Sequence, residues 1–326
     1  MRILWIVNTI FPYPASKIGQ EKCCFGGWLN GLANMLKDNN DIKLAIATVY
    51  NGVDIKKFDD GKIIYYLIPG APALKYNSNL EKYWKIVNEE FKPDLVHIHG
   101  TEFAHGLAFI NVCTNVKTVT SIQGLVSIYE KVYLGDIPEN TVRKNVTFRD
   151  FIKMDNLLQQ KKQFAKRGKL ETELIKRSDA IIGRTDWDYA NTKAINPEES
   201  YFVGNETLRT GFYGKEWNLE NIERHSIFTS QASYPIKGLH FLLQAIYILK
   251  QKYPDIKLYI AGNNIIDTST FTRKIKISGY AKIIRKLIKK YNLEDQVVFT
   301  GILSEEEMIE QYLKSNVFVL PSVIEN

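Results

Sequence analysis

Two hydrophobic periods alternate along the chain. Residues 3–8 form a short apolar run, and 27–36 repeats apolar positions at helical spacing, with Trp28, Leu32 and Met35 on one face. Apolar runs at 42–49, 63–68, 94–99, 117–122 and 180–184 predict strands, and 80–91 predicts a helix. A second series follows, with strands at 227–230, 256–261, 297–300 and 317–320 and helices at 239–252, 282–291 and 305–314. Strands that are apolar throughout, alternating with helices, imply mostly parallel sheets covered on both faces. An irregular stretch rich in glycine and aromatic residues, 205–224, separates the series. The simplest account is an α/β protein of two Rossmann-like domains: 1–204, a linker at 205–224, and 225–326. Ligands of such sheets sit outside the carboxyl ends of the strands, so a cleft between the halves is the expected site.

Residues 138–177 predict a long, basic helical region carrying Arg143, Lys144, Lys161, Lys162, Lys166, Arg167 and Lys169. Phe148, Phe151, Ile152 and Phe164 are interleaved with these charges. The favoured reading is a solvated helix face with core contacts. The sharper one is a surface for anionic lipid or a lipid-phosphate acceptor.

Composition narrows the class. Of 326 residues, 45% are hydrophobic and 24% charged, which describes a globular protein and excludes a disordered one. The opening apolar run is cut by Asn8, Pro12 and Pro14, so it reads as a strand entering a loop and not as a signal peptide. No run is long enough to span a bilayer. Cys23, Cys24 and Cys113 lack metal-ligand spacing, which favours a reduced, cytoplasmic location, with peripheral contact at the inner face of a membrane as the alternative. A net charge of +7 suits nucleic acid, anionic lipid or a phosphorylated substrate. Nucleic acid is the weakest of these, because no recognition module or aromatic platform accompanies the charge.

Chemistry-bearing residues gather at four predicted strand ends. Gly26 and Gly27 stand directly before a helix, where glycine lets backbone approach a phosphate and the helix N-terminus supplies free N–H groups. A glycine pair at this place is also a common tight turn. In the run His97-Ile98-His99-Gly100, alternation points both histidines to one face. With no third ligand at metal spacing, His97 reads as a satisfied core histidine and His99 as the more open, cleft-side one. Lys237-Gly238 opens a helix, where a lysine opposes the macrodipole unless an anion binds. Glu325 follows the last strand, where a carboxylate accepts from sugar or ribose hydroxyls or simply caps a helix. Asp186-x-Asp188 has the spacing of a divalent-metal site in sugar transferases. It also opens a helix, where acids cap and complement the dipole, and capping is the preferred reading.

Together, the motifs FGGW, DLVHIHG, RSDAIIGRTDWD, Lys237-Gly238, LYIAG, VVFTG and VFVLPSVIEN resemble, in order and spacing, a retaining glycosyltransferase of family 4 with the GT-B fold. The resemblance covers essentially the whole chain. It implies two Rossmann-like domains with parallel sheets facing a cleft, the second of them incomplete. It implies transfer of a sugar, with retention, from a nucleotide donor (a UDP- or GDP-sugar) to a glycan or polyprenyl-linked acceptor in surface polysaccharide synthesis. No metal and no cofactor are implied. Lys237 would contact the donor diphosphate, and Gly26-Gly27 would approach it from the other domain. Gly238 and Gly262 would line the donor side, and Asn326 would begin a stretch of backbone amides facing the donor. Glu325 matches the first glutamate of the family's ExxxxxxxE motif, beside the transferred sugar. The chain departs from the pattern twice. Gln231 stands where the family usually has an arginine, and Gln123 where it often has a histidine touching the donor sugar. PSVIEN stops inside the donor motif, so a truncated, inactive and poorly soluble chain is expected. Two alternatives stand beside the transferase: an epimerase of nucleotide sugars on the same fold, and an inactive sugar-nucleotide-binding remnant.

Overall fold

The computed structural model describes all residues except 21–25, 71–75 and 325–326. Contacts group them into two compact units, one of 1–128 and 164–210, the other of 129–163 and 211 onward.

The first unit is built on eight strands: β1 (Arg2–Ile6), β2 (Lys43–Tyr50), β3 (Lys56–Asp59), β4 (Ile63–Pro69), β5 (Leu95–His99), β6 (Lys117–Ser121), β7 (Ala180–Gly183) and β8 (Ser200–Val203). They lie in the order β3-β4-β2-β1-β5-β6-β7-β8, with every pairing parallel except β3–β4. Four helices of eight or more residues belong wholly to this unit, α2 (Gly27–Leu36), α3 (Asn79–Phe91), α4 (His105–Val112) and α9 (Asp186–Ile195), after the short α1 (Pro12–Lys17).

Period-two alternation along β1 decides which helices cover which face. Ile3, Trp5 and Val7 pack with Leu29 and Ala33 of α2. Leu4 and Ile6 pack on the opposite face with Trp84 and Phe91 of α3 and Phe109 of α4. In α3, the buried Leu80, Trp84, Val87 and Phe91 fall at i, i+4, i+7 and i+11, a stripe fit for one sheet face. The antiparallel edge strand β3 reads Lys-Lys-Phe-Asp, and its charges discourage pairing with another chain.

The second unit carries β9 (Glu223–Thr229), β10 (Lys257–Ala261), β11 (Val297–Gly301) and β12 (Ser315–Phe318), all parallel, in the order β11-β10-β9-β12. Its own helices are α10 (Leu239–Lys250), α11 (Phe271–Lys276), α12 (Gly279–Lys290) and α13 (Glu305–Lys314). Between the units in sequence run α5 (Val126–Tyr129), α6 (Glu139–Lys144), α7 (Phe148–Lys153) and the long α8 (Leu157–Arg177).

The sequence placed 129–163 with the N-terminal domain; the contacts group it with the second unit instead. Specific polar bonds hold it there. His240 Nε2 bonds to the carbonyl of Gly135 at 2.7 Å, Lys286 Nζ donates to Asn145 Oδ1 at 2.7 Å, and the Gly279 amide donates to Asp150 at 2.8 Å. The predicted continuous helical region is three helices, broken at 145–147 and 154–156. No described helix is long and apolar enough to cross a membrane.

Candidate active site

Chain order around β1 fixes where a ligand should sit on the first unit. From β1 the chain moves outward to β2 on one side and later returns to β5 on the other, so the β1–β5 boundary is a topological switch point. Loops leaving the carboxyl ends of β1, β5 and β6 carry Gly26-Gly27, the segment after His99, and Gln123.

Gly26 caps α2 in the left-handed conformation, at φ 73°. Gly27 leaves room for an arginine: a Cβ there would stand 2.0 Å from Arg209 Nε. Thr207 Oγ1 donates to the carbonyl of Trp28 at 3.0 Å, fixing the 207–209 segment across the first turn of α2. The glycine pair therefore seats a guanidinium at a helix N-terminus. Arg209 was invisible as a site residue in the sequence, since it lies more than 180 positions downstream in an irregular stretch.

Beyond β5, His97 Nε2 bonds to Ser121 Oγ at 2.6 Å, as a satisfied core histidine does. His99 reverses its expected openness. It is 2% exposed, stacked on His97 at 3.7 Å and covered by the rings of Trp5 and Trp28 at 4.6 and 5.5 Å. Neither of its ring nitrogens has a hydrogen-bond partner among the described residues. Burial drives His97 down to about 4 and, with the charge of His97 beside it, holds His99 well below the ordinary histidine value, so both are neutral at physiological pH.

Three residues past His99 lies Glu102, which the sequence reading did not single out. Its Oε2 and the Nε2 of Gln123 are both enclosed and have no hydrogen-bond partner among the described residues. The two side chains flank Gly100: a Cβ there would stand 2.4 Å from Glu102 Oε2 and 3.3 Å from Gln123 Oε1. Burial, reinforced by the charge of Glu171, pushes the Glu102 carboxyl up to about 7, against its own amide, Arg167 and the Thr101 amide. Its only advance signal was an acidic residue just beyond a buried strand.

A second carboxylate clamps these loops. Glu171, 1% exposed, accepts from Thr101 Oγ1 (2.8 Å), the amides of Val126 and Ser127 (2.9 Å each) and Ser127 Oγ (2.6 Å). Arg167 donates from Nε and Nη2 to the carbonyl of Glu102 at 3.1 and 2.9 Å. With these bonds the loops after β5 and β6 are held rigid, while Glu102 and Gln123 keep unspent hydrogen-bonding capacity. Buried groups in that condition suit hydroxyl recognition.

On the second unit, Lys237 ends a 3-10 turn, Pro235–Lys237, directly before α10. Gly238 follows at φ 69°. The segment after β12 lies on this turn: the amide of Val323 donates to the carbonyl of Ile236 at 2.8 Å. The structure thus joins Lys237-Gly238 to PSVIEN, two motifs far apart in sequence. Gln231 is exposed after β9, and Gly262 leaves β10 at φ 101° with open space at its Cβ position. Glu325 and Asn326 lie outside the described residues.

Asp188 serves the start of α9. Its amide donates to Thr185 Oγ1 at 3.1 Å and its Oδ2 accepts from the Arg184 amide at 2.9 Å. Among the described residues no three His, Cys, Asp or Glu side chains gather as a metal-binding group.

Solved structures share this architecture over essentially the whole of this chain. Sucrose-phosphate synthase from Thermosynechococcus elongatus aligns over 100% of this chain and 76% of its own, at TM-score 0.65 and 15% identity. Anabaena HepE, solved with UDP and glucose, aligns over 99% and 75%, at TM-score 0.58 and 13% identity. The catalytic domain of starch synthase IV from Arabidopsis thaliana, bound to ADP and acarbose, aligns over 100% and 79%, at TM-score 0.52 and 12% identity. The fold is GT-B. Residues 215–326 match the family model of glycosyl transferases group 1, which covers β9 to β12 of the GT-B chain and the turn bearing Lys237. Among curated protein sequences none matches the chain.

Proposed function

We propose that this GT-B protein transfers a sugar from a nucleoside-diphosphate donor to a glycan or lipid-linked acceptor, with retention and without a metal ion. The observation that carries the reading is the joined Lys237–Gly238 turn and 321–323 segment at the carboxyl end of a parallel sheet, inside the stretch that matches group 1 glycosyl transferases.

In this reading Lys237 neutralises charge on the departing diphosphate. The backbone of Gly26-Gly27, with Arg209 seated beside it, offers a second positive pole. A fixed cation needs no rearrangement as leaving-group charge develops, which is the form of electrostatic catalysis a rigid loop serves best. Gln123 and Glu102 receive sugar hydroxyls: the amide donates, and the carboxyl donates or accepts according to its protonation. Glu325 and Asn326 enter this reading only through the family resemblance, which assigns the first to the transferred sugar and the second to the donor.

The test is a thermal-shift series of the protein against UDP-, GDP- and ADP-sugars, followed by assay of nucleoside diphosphate release with each stabilising donor. A ligand bound only by the folded state raises the melting temperature in proportion to its affinity. One nucleotide series should stabilise the protein, and turnover should persist in excess EDTA. The product anomer, read by NMR, should match the donor. Absence of stabilisation by every nucleotide sugar would remove the reading.

A further inference from the structure

Helix α7 is built inside out. Its acid, Asp150, is 2% exposed and accepts from the amides of Gly279 at 2.8 Å and Thr147 at 3.2 Å and from Arg149 Nη1 at 3.0 Å. Thr147 Oγ1 donates to the carbonyl of Ile277 at 2.8 Å. With the polar side pinned inward, the apolar side chains are turned out: Phe148 is 65% exposed, Phe151 74%, Ile152 63% and Met154 69%. Neighbouring α11 repeats the inversion, with Phe271 at 78% and Ile275 at 40%. A lone exposed apolar residue is ordinary. A buried acid backing six exposed large apolar residues, five on two packed helices and Met154 just past the end of α7, is a surface with a purpose.

Charge says what that surface meets. Residues 268–293 hold eight basic residues and no acid. The nearby acids are already engaged: Asp150 and Asp155 with Arg149, Asp267 with Arg273, and Glu139 with Arg143. Lys144, Lys153, Lys274 and Lys276 are exposed around the apolar residues and make no ion pair among the described residues. Cores of protein–protein interfaces are depleted in lysine. The three phenylalanines are rings on which bases stack, but half of the six apolar residues, Ile152, Met154 and Ile275, are aliphatic and give a base no platform, which favours lipid over nucleic acid. Phenylalanine and isoleucine ringed by lysine is the composition of elements that lie at the interface of an anionic bilayer.

We propose that α7 and α11 dock the protein on an anionic lipid surface, with Phe148, Phe151, Ile152 and Phe271 entering the headgroup–acyl boundary and the surrounding lysines over the charged headgroups. This replaces the solvated face with core contacts favoured from the sequence, because the three apolar residues Phe148, Phe151 and Ile152 make no core. The docking stands independently of the transfer reaction.

Sedimentation with vesicles tests it. The protein should bind equimolar phosphatidylcholine/phosphatidylglycerol vesicles, should bind phosphatidylcholine alone at least about tenfold more weakly, and should release in high salt. The triple variant Phe148→Ser/Phe151→Ser/Phe271→Ser should lose roughly tenfold or more in binding. The variant Lys144→Glu/Lys153→Glu/Lys274→Glu should lose binding to the anionic vesicles while keeping the wild-type melting temperature, since these side chains hold nothing in the fold. No binding to anionic vesicles, equal binding to neutral ones, or binding untouched by both variants would overturn the proposal. So would a dimer, seen by analytical ultracentrifugation, that the serine variant dissociates, because it would assign the surface to a second copy of the chain.

Discussion

The carbonyl oxygen of Pro321 occupies the space that a side chain on Gly238 would need, 1.8 Å from its Cβ position. Gly238 also sits at φ 69°, where only glycine is unstrained. Gly238→Ala should therefore push the 321–323 segment off the Lys237 turn and cost about 1–3 kcal/mol of stability. Urea unfolding and donor titration should show both losses together. Wild-type donor affinity in a folded Gly238→Ala protein would mean the two segments do not cooperate in binding.

Lys237→Ala removes charge without touching a core. It should weaken donor binding or transition-state stabilisation by about 1.5–3 kcal/mol, the range for hydrogen bonds to charged groups. The protein should still fold, with a wild-type far-UV circular dichroism spectrum. Unaltered activity at sub-saturating donor would sink the role assigned to Lys237.

The pair at the start of α9 separates capping from metal binding. Thr185→Ala should cost about 1 kcal/mol, the usual worth of an N-cap. Asp188→Asn, which keeps an acceptor for the Arg184 amide, should be milder. Neither change should make activity depend on Mn²⁺ or Mg²⁺, and a strict requirement for either ion would show Asp186-x-Asp188 to be a metal site after all.

Glu102 predicts a pH dependence with a definite sign. Its folded-state pKa is raised from 4.5 to about 7, so the native state holds the proton more tightly than the unfolded chain. Its stabilising contribution is thus complete below the unfolded value and is lost as pH rises through the window up to about 7. The limiting slope for one proton is about 1.4 kcal/mol per pH unit. His97 and His105, whose pKa values burial lowers to about 4, act with the opposite sign. The clean measurement is therefore the difference in stability between the wild type and Glu102→Gln across pH 4–8. A difference that is flat with pH would show that folding leaves the pKa of Glu102 unshifted.

The buried strands and the helices between them are what the sequence displays openly, because buried parallel strands are apolar along their whole length and α3 and α10 carry clear stripes; the order of strands in the sheets was not legible there. The glycines at residues 26, 27 and 238 were legible for the same kind of reason, since backbone demands leave glycine as their mark. Short or polar elements escaped. Edge strands β3 and β8 are mostly exposed: β3 carries no apolar run, and the three apolar residues of β8, Tyr201–Val203, are too short a run to mark a strand. Residues 129–163 read as part of the first domain because nothing local records that Asp150 accepts from an amide 129 positions away. Glu102 and Arg209 were missed likewise: each gains its place from a partner distant in sequence. His99 was misjudged in openness because covering by Trp5 and Trp28 is a property of packing, and strand alternation gives only the face.

The chain passes between the two units at 128/129, at 163/164 within α8, and at 210/211. A single nick in the glycine-rich stretch would leave the halves tethered through the other two passages, so limited proteolysis there should yield a nicked protein that still migrates as one particle. Expression of the portion from residue 211 onward would not reproduce the second unit. It would strip the Gly279 amide of Asp150, Lys286 of Asn145 and His240 of the Gly135 carbonyl, and would discard half of the lipid-facing surface. For anyone grafting this second unit onto another chain of the same architecture, the natural exchange piece is two segments of chain and not one.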